Sequence, residues 1–279
     1  MQISFNPSVH EMRSIFLFNR LSTEISESVR RLATGQRILS GKDDPGGLIS
    51  REIMRGDIRG LQAAQNATAR ANGMLSAADA TMENISKMLV GDINNKDDGG
   101  LLGLIMDDRL SPEMKKEQID KVLTMIDTAA RGATYNGKRL LDGSMGEVVF
   151  QLGKDVEASM QHRMTMPDMT NLGLHELRSM DWSNEADRAK AYSIVNDAIQ
   201  RTAVERGTIG AVQRFVLDAS ARNLETQLER TMETEGLISN VDMAVESSRL
   251  HRAEILAQSA MSAILHSRGF ERFLWNLFL

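Results

Sequence analysis

The sequence predicts a mainly α fold: a long antiparallel helical coiled-coil bundle formed by the N- and C-terminal regions, with one small β-hairpin in the middle. Three observations predict it. Glycine is absent from Met1 to Thr34 and again from Leu237 to Arg268, which leaves both ends free to be helical. Of 279 residues, 42% are hydrophobic but only 4% aromatic, with 18 Met and 4 Pro. A core of Leu, Ile, Met and Ala with so little proline favours long helices over a β-sandwich or barrel. Finally, apolar residues alternate with period two in one stretch only, which places a single strand pair among the helices.

At the N-terminal end, Leu21, Ile25, Val29 and Leu32 recur at spacings of four, four and three, the stripe of an amphipathic helix. Gly41, Lys42, Asp43, Asp44, Pro45, Gly46 and Gly47 then read as a loop. A second helix includes Ile58 and Leu61, followed by Leu75, Ala78, Met82, Ile85 and Leu89 in alternating threes and fours, as in a coiled coil. Gly91 to Gly103 is a polar, glycine-bearing break. A third helix opens on Ser111 as N-cap, Pro112 at the first helical position and Glu113 in the first turn. The chain turns between Tyr135 and Gly146. Val148, Phe150 and Leu152 alternate, Gly153-Lys154-Asp155 turns, and Val156 to Met166 alternate again, a half-buried hairpin. Helix returns near Asn184 and persists to about Glu235. The last segment carries Ile238, Val241, Val245, Ile255 and Ile264. Residues 1–40 and 236–279 are therefore expected to form one domain of terminal helices, and residues 41–235 a second, with helices and hairpin.

Residues that could carry chemistry are sparse. Without cysteine there are no disulfides, thiolate metal sites or Cys nucleophiles. A net charge of -5 argues against a nucleic-acid-coating protein. The longest early apolar run, Ile15 to Phe18, is too short to insert in a membrane or to form a cleavable signal. None of His10, His162, His175, His251 and His266 has a second ligand at metal-binding spacing, since Ser179 and Ile255 stand where a zinc pair would need histidine. Asp92 to Asp97 fails as a calcium loop, because Lys96 occupies a ligand position. The pairs Asp43-Asp44 and Asp107-Asp108 read as solvated or helix-capping carboxylates. No glycine pattern cradles phosphate. The expectation is a protein that is not an enzyme and takes no cofactor, whose helical stripes bury against other helices.

Four segments carry a resemblance. Arg31-Leu32-Ala33-Thr34-Gly35-Gln36-Arg37-Ile38, Lys42-Asp43-Asp44-Pro45-Gly46-Gly47-Leu48 and Arg59-Gly60-Leu61 together resemble the N-terminal signature of bacterial flagellins. Asn136 to Gly143 resembles the family's Asn-Gly-x-x-Leu-Leu-Asp-Gly segment, while Ile209 to Gln213 and Asn240 to Arg268 are similar to its C-terminal region.

The resemblance implies a structural subunit that polymerises into the flagellar filament for motility. It implies an extracellular protein, exported unfolded through the flagellar type III apparatus without a cleaved signal peptide. The implied partners are other copies in a helical polymer, the flagellar cap, the hook–filament junction and an export chaperone on the C-terminal segment. The terminal domain would line an inner tube and residues 41–235 the next shell, joined at Gly41 to Gly47. There is no room for the outer domains of larger members. Isolated helices with one apolar stripe are marginal in water, so the ends are expected to order when copies share their stripes. The ending departs from the family: Phe270, Phe273, Trp275 and Phe278 are four of the twelve aromatic residues and read either as a further packing stripe of the tube or as the stickier end of a specialised minor subunit. A hook–filament junction protein shares these helical ends, and a cytoplasmic signalling coiled coil is the rival from another class.

Overall fold

The computed structural model describes residues 9–91, 99–155, 157 and 160–277, and within these the side chains of residues 12–266. The chain divides into two compact units, one of Met1–Asp57 with Arg230–Leu279 and one of Ile58–Glu229.

In the first unit, helix α1 (Val9–Thr34) packs along α7 (Met243–Leu277). They run antiparallel: Leu21 clusters with Ala253 and Ala257, while Ser28, further along α1, meets Glu246, earlier in α7. The seam has the 3.5-residue period of a coiled coil. On α1 it follows Phe18, Leu21, Ile25 and Ser28, and on α7 Glu246, Ala253, Ala257, Ala260 and Ile264. The expected stripe on α1 is therefore only half right. Leu21 is buried and Ile25 packs beside it, but Val29 is 49% exposed and the buried position belongs to Ser28. Two steps of four residues overshoot a helical seam by about 80°, and a step of three restores it. Because α1 and α7 cover one face of each other, their stripes are not left wholly without partners inside a single chain.

This unit also holds the start of α2 (Pro45–Val90) and the end of α6 (Asp218–Ser239). By contact the two units part at Asp57 and Arg230, inside helices. Helix α6 runs unbroken past residue 235, whereas α2 begins only at Pro45, after the connecting turn. Their ends are tied into the first unit by Arg51 reaching the Ile38 carbonyl at 2.6 Å and Arg55 reaching Glu235 at 3.1 Å.

In the second unit, the predicted stripe Leu75, Ala78, Met82, Ile85 and Leu89 of α2 is fully buried. Against it pack α3 (Gly100–Met106), α4 (Pro112–Gly132) and α5 (Glu185–Ala211), with the strands, in one continuous core. Helix α3 occupies part of the expected break, whose residues 92–98 lie outside the described residues. The start of α4 is as expected: Ser111 Oγ accepts from Met114 N–H at 3.3 Å, and Pro112 gives up no needed donor. Asn184 caps α5 through Ala186 N–H at 3.0 Å.

Two strand pairs are present among the described residues. β1 (Thr134–Tyr135) pairs with β2 (Lys138–Arg139) around Asn136-Gly137, both at positive φ, the tight turn that this dipeptide favours. β3 (Glu147–Gln151) pairs antiparallel with β4 (Gln161–Thr165), with Phe150 opposite His162 and Val148 opposite Met164. β3 ends at Gln151 and β4 begins at Gln161. Of the residues placed on the second strand by alternation, Val156 and Ala158 lie outside the described ones.

The helix expected from Asn184 to Glu235 is interrupted. Val212–Leu217 is a π-helical turn in which Asp218 N–H reaches back five residues to Gln213 O. The extra residue lets the Gln213 amide donate to Asn72 Oδ1 and Ser76 Oγ of α2, both at 2.9 Å, while Phe215 turns outward.

Candidate assembly surfaces

Within the first unit the expected loop 41–47 is shorter than predicted, because Pro45, Gly46 and Gly47 form the first turn of α2. Asp44 caps that turn, its Oδ1 accepting from Gly47 N–H at 2.9 Å. Pro45 sits at the first helical position, where a missing N–H costs nothing. A Cβ on Gly47 would come within 2.5 Å of Asp44 Oδ2 and 2.6 Å of Ile38 Cδ1, so any side chain there displaces the cap or Ile38. Gly41 and Lys42 are exposed in the preceding turn. Asp43 Oδ2 accepts from Leu39 N–H at 3.0 Å and Ser40 N–H at 2.8 Å. Those two backbone donors, Leu39 first, hold its carboxyl below the ordinary value of 3.8. The paired aspartates are thus structural caps.

The two chain segments that connect the helices lie against each other. Arg37 N–H donates to Ser239 O at 2.7 Å and Val241 N–H donates to Gly35 O at 3.0 Å. Asp242 then caps α7 through Ala244 and Val245 N–H. The predicted run Ile238, Val241, Val245 therefore crosses a helix break: Ile238 ends α6, Val241 lies in the connection, and Val245 stands 62% exposed in the first turn of α7.

Of the other expected assembly residues, Leu32 is half-buried, Ile264 is buried in the seam, and Ile255 is 63% exposed. Phe270, Phe273 and Trp275 belong to the last turns of α7, but their side chains, and Phe278 altogether, lie outside the described residues. The expected stripe thus mixes residues that close the α1–α7 pair with residues left uncovered. Sequence reasoning missed Ser28, Glu246 and the alanines 253, 257 and 260 because it followed large apolar residues. The 3.5-residue spacing of small residues in α7 was the available signal.

Large apolar side chains remain exposed on all four helical segments of this unit. They include Phe16 at 71% on α1, Ile49 and Ile53 on α2, Leu237 at 78% on α6, and Leu256 and Leu265 on α7. On the second unit Val204 and Phe215 do the same, Phe215 with Arg214 over its ring at 5.6 Å. Single exposed apolar residues are ordinary, but here many lie together on helices whose other face is covered.

Among the described residues, no group of three or more His, Asp or Glu could hold a metal ion, and no helix is long and apolar enough to cross a membrane. Asp107 is engaged by Arg109, whose guanidinium and backbone N–H hold its carboxyl down.

Comparison with known proteins agrees with this architecture. Residues 5–145, half of the chain, match the bacterial flagellin N-terminal helical region, and residues 192–268 match the bacterial flagellin C-terminal helical region. The flagellin of Bacillus subtilis (strain 168) is 27% identical over an alignment covering 91% of this chain and 94% of its own. A 30.7 kDa flagellar filament core protein of Treponema maltophilum is 24% identical, covering 91% and 93%. Among solved structures, a protein assigned as a flagellar hook-associated protein from Vibrio parahaemolyticus shares the fold, with a TM-score of 0.54, 12% identity, and coverage of 69% of this chain and 99% of its own. With its N-terminal half and most of its C-terminal part matched in order, the chain belongs to the bacterial flagellin family.

Proposed function

We propose that this subunit of the extracellular flagellar filament polymerises through the uncovered faces of the α1–α7 pair, with residues 1–40 and 236–279 lining an inner tube and residues 41–235 forming the next shell. The observation that carries the reading is the exposure of Phe16, Val245, Ile255 and Leu265 on helices whose other face is already closed. A seam closed on α7 largely by alanines buries little apolar area, so the pair is weakly held alone. Neighbouring copies would cover the outer faces and consolidate it, a folding step coupled to binding. Contacts that repeat head to tail without closing build an open helix.

In this reading the chain leaves the cell unfolded through the flagellar type III apparatus, without a cleaved signal peptide. An export chaperone holds the C-terminal segment, and the cap and hook–filament junction contact the growing and basal ends. Sedimentation of culture supernatant tests the central claim: a polymer of this chain that dissociates on mild heating is expected. Deleting Phe270 to Leu279 should abolish that polymer and leave the second unit folded. A chain confined to a few copies at the filament base would instead be a junction protein, and one found only in the cytoplasm would refute the reading.

A further inference from the structure

We propose that the exposed methionines of the first unit form a peroxide-sensitive modification site that switches polymerisation off. The proposal rests on the assembly reading above. A chain with 18 methionines and no cysteine has thioethers as its only oxidisable sulfur. Besides Met106, Met114, Met125 and Met160, exposed on the second unit, two groups matter. Met82, Met166 and Met169 are sealed in the core of the second unit, at 3% exposure or less. Met12, Met232, Met243 and Met261 lie exposed in the first unit, on α1, α6 and α7, the helices that carry the uncovered apolar faces.

The chemistry needs only hydrogen peroxide or an organic hydroperoxide. The sulfur lone pair attacks the peroxide's terminal oxygen and the O–O bond breaks. An S–O bond forms, and the departing oxygen takes the proton as water or alcohol. Sulfur loses two electrons, the peroxide gains two, and methionine becomes the sulfoxide. A flexible apolar side chain thereby becomes a polar one carrying a strong acceptor. In the separate chain that acceptor is solvated. In a polymer it would be buried with no donor to meet it, so the free subunit is favoured. One unsatisfied acceptor per subunit raises the concentration needed for polymerisation about tenfold, and more where several are oxidised.

The test treats the purified full chain with dilute hydrogen peroxide, maps oxidation by peptide mass spectrometry and measures sedimentable polymer. Met12, Met232, Met243 and Met261 should oxidise in the free subunit, while Met82, Met166 and Met169 are spared. Polymer yield should fall with oxidation, and the preformed polymer should oxidise more slowly at the same four positions. A variant with Met12→Leu, Met232→Leu, Met243→Leu and Met261→Leu should polymerise equally with and without peroxide, although its exposed Met106, Met114 and Met125 still oxidise. The proposal is overturned if the oxidised parent polymerises like the untreated one, or if the Leu variant is just as sensitive. Failure of the untreated parent to polymerise would remove the assembly reading itself, and this proposal with it.

Discussion

Ser28 donates its hydroxyl to Glu246 Oε1 at 2.7 Å across the seam of the α1–α7 pair, and both side chains are buried. Arg31 reaches the same oxygen at 3.4 Å and Arg249 reaches Oε2 at 3.6 Å, while Arg249 also meets Glu24 at 3.8 Å. A carboxylate among small and apolar seam residues is tolerated because every side of it is answered. Glu246→Ala would strand the Ser28 hydroxyl and leave Arg31 to Glu27 and Arg249 to Glu24. It should weaken the pair by about 1–3 kcal/mol, whereas Glu246→Gln, which keeps an oxygen for Ser28, should cost less. Hydrogen exchange of α7 amides reads this locally; equal exchange in parent and Ala variant would show that the contact contributes nothing.

The turn before α2 should be intolerant of a single methyl group. Gly47→Ala places a Cβ against both the capping carboxylate of Asp44 and the Ile38 side chain. Either the cap or the buried Ile38, which is 1% exposed, must shift, at a cost of about 1–3 kcal/mol. Gly46→Ala is the control, since its Cβ would meet nothing closer than 3.7 Å. Thermal melting of the two variants should separate them by several degrees, with Gly46→Ala near the parent.

Acid should loosen the same turn. The folded-state carboxyl of Asp43 titrates below its ordinary value, so its hydrogen bonds to Leu39 and Ser40 contribute stability above the ordinary carboxylate range. That contribution is lost as pH falls through the lowered value. Asp142 is held down likewise, by the Ser144 hydroxyl first and then by its N–H. Asp43→Asn keeps an acceptor but not its charge, so it should be less stable than the parent at pH 7, the difference closing only as pH falls through the lowered value. Urea midpoints at a series of pH values check this; a constant difference across the series would count against it.

How far the sequence discloses this structure depends on what each residue has to do. Ser111 and Asn184 act on their own backbone: Ser111 caps where the sequence places it, and Asn184 caps the helix expected to return near it. The α2 stripe from Leu75 to Leu89 is legible because every seam position there is apolar. In α1 and α7 some seam positions are serine, glutamate or alanine, so a search for large apolar residues slides onto Val29, Val245 and Ile255, on the outer face. Asn136-Gly137 carries a strong hairpin signal, but its flanking strands are two residues long and show no alternation. The π-turn at Val212–Leu217 leaves no local mark, because what holds it is Gln213 reaching Asn72 and Ser76, far away in sequence.

The distinction between covered and uncovered positions on α7 gives the sharpest prediction about assembly. Ile255 is exposed, whereas Ala253 is 3% exposed in the seam beside Leu21. Ile255→Glu and Val245→Glu put a charge on a solvated helix face and should change the stability of the separate chain by only about 0.5 kcal/mol. If copies pack there, each would bury that charge without a partner and polymerisation should fail, at unchanged helix content by circular dichroism. Ala253→Leu does the reverse: it overfills the seam and should cost about 1–3 kcal/mol within one chain. Polymers formed normally by both glutamate variants would show that assembly uses another face, because a buried unpaired carboxylate is too costly to be absorbed unnoticed.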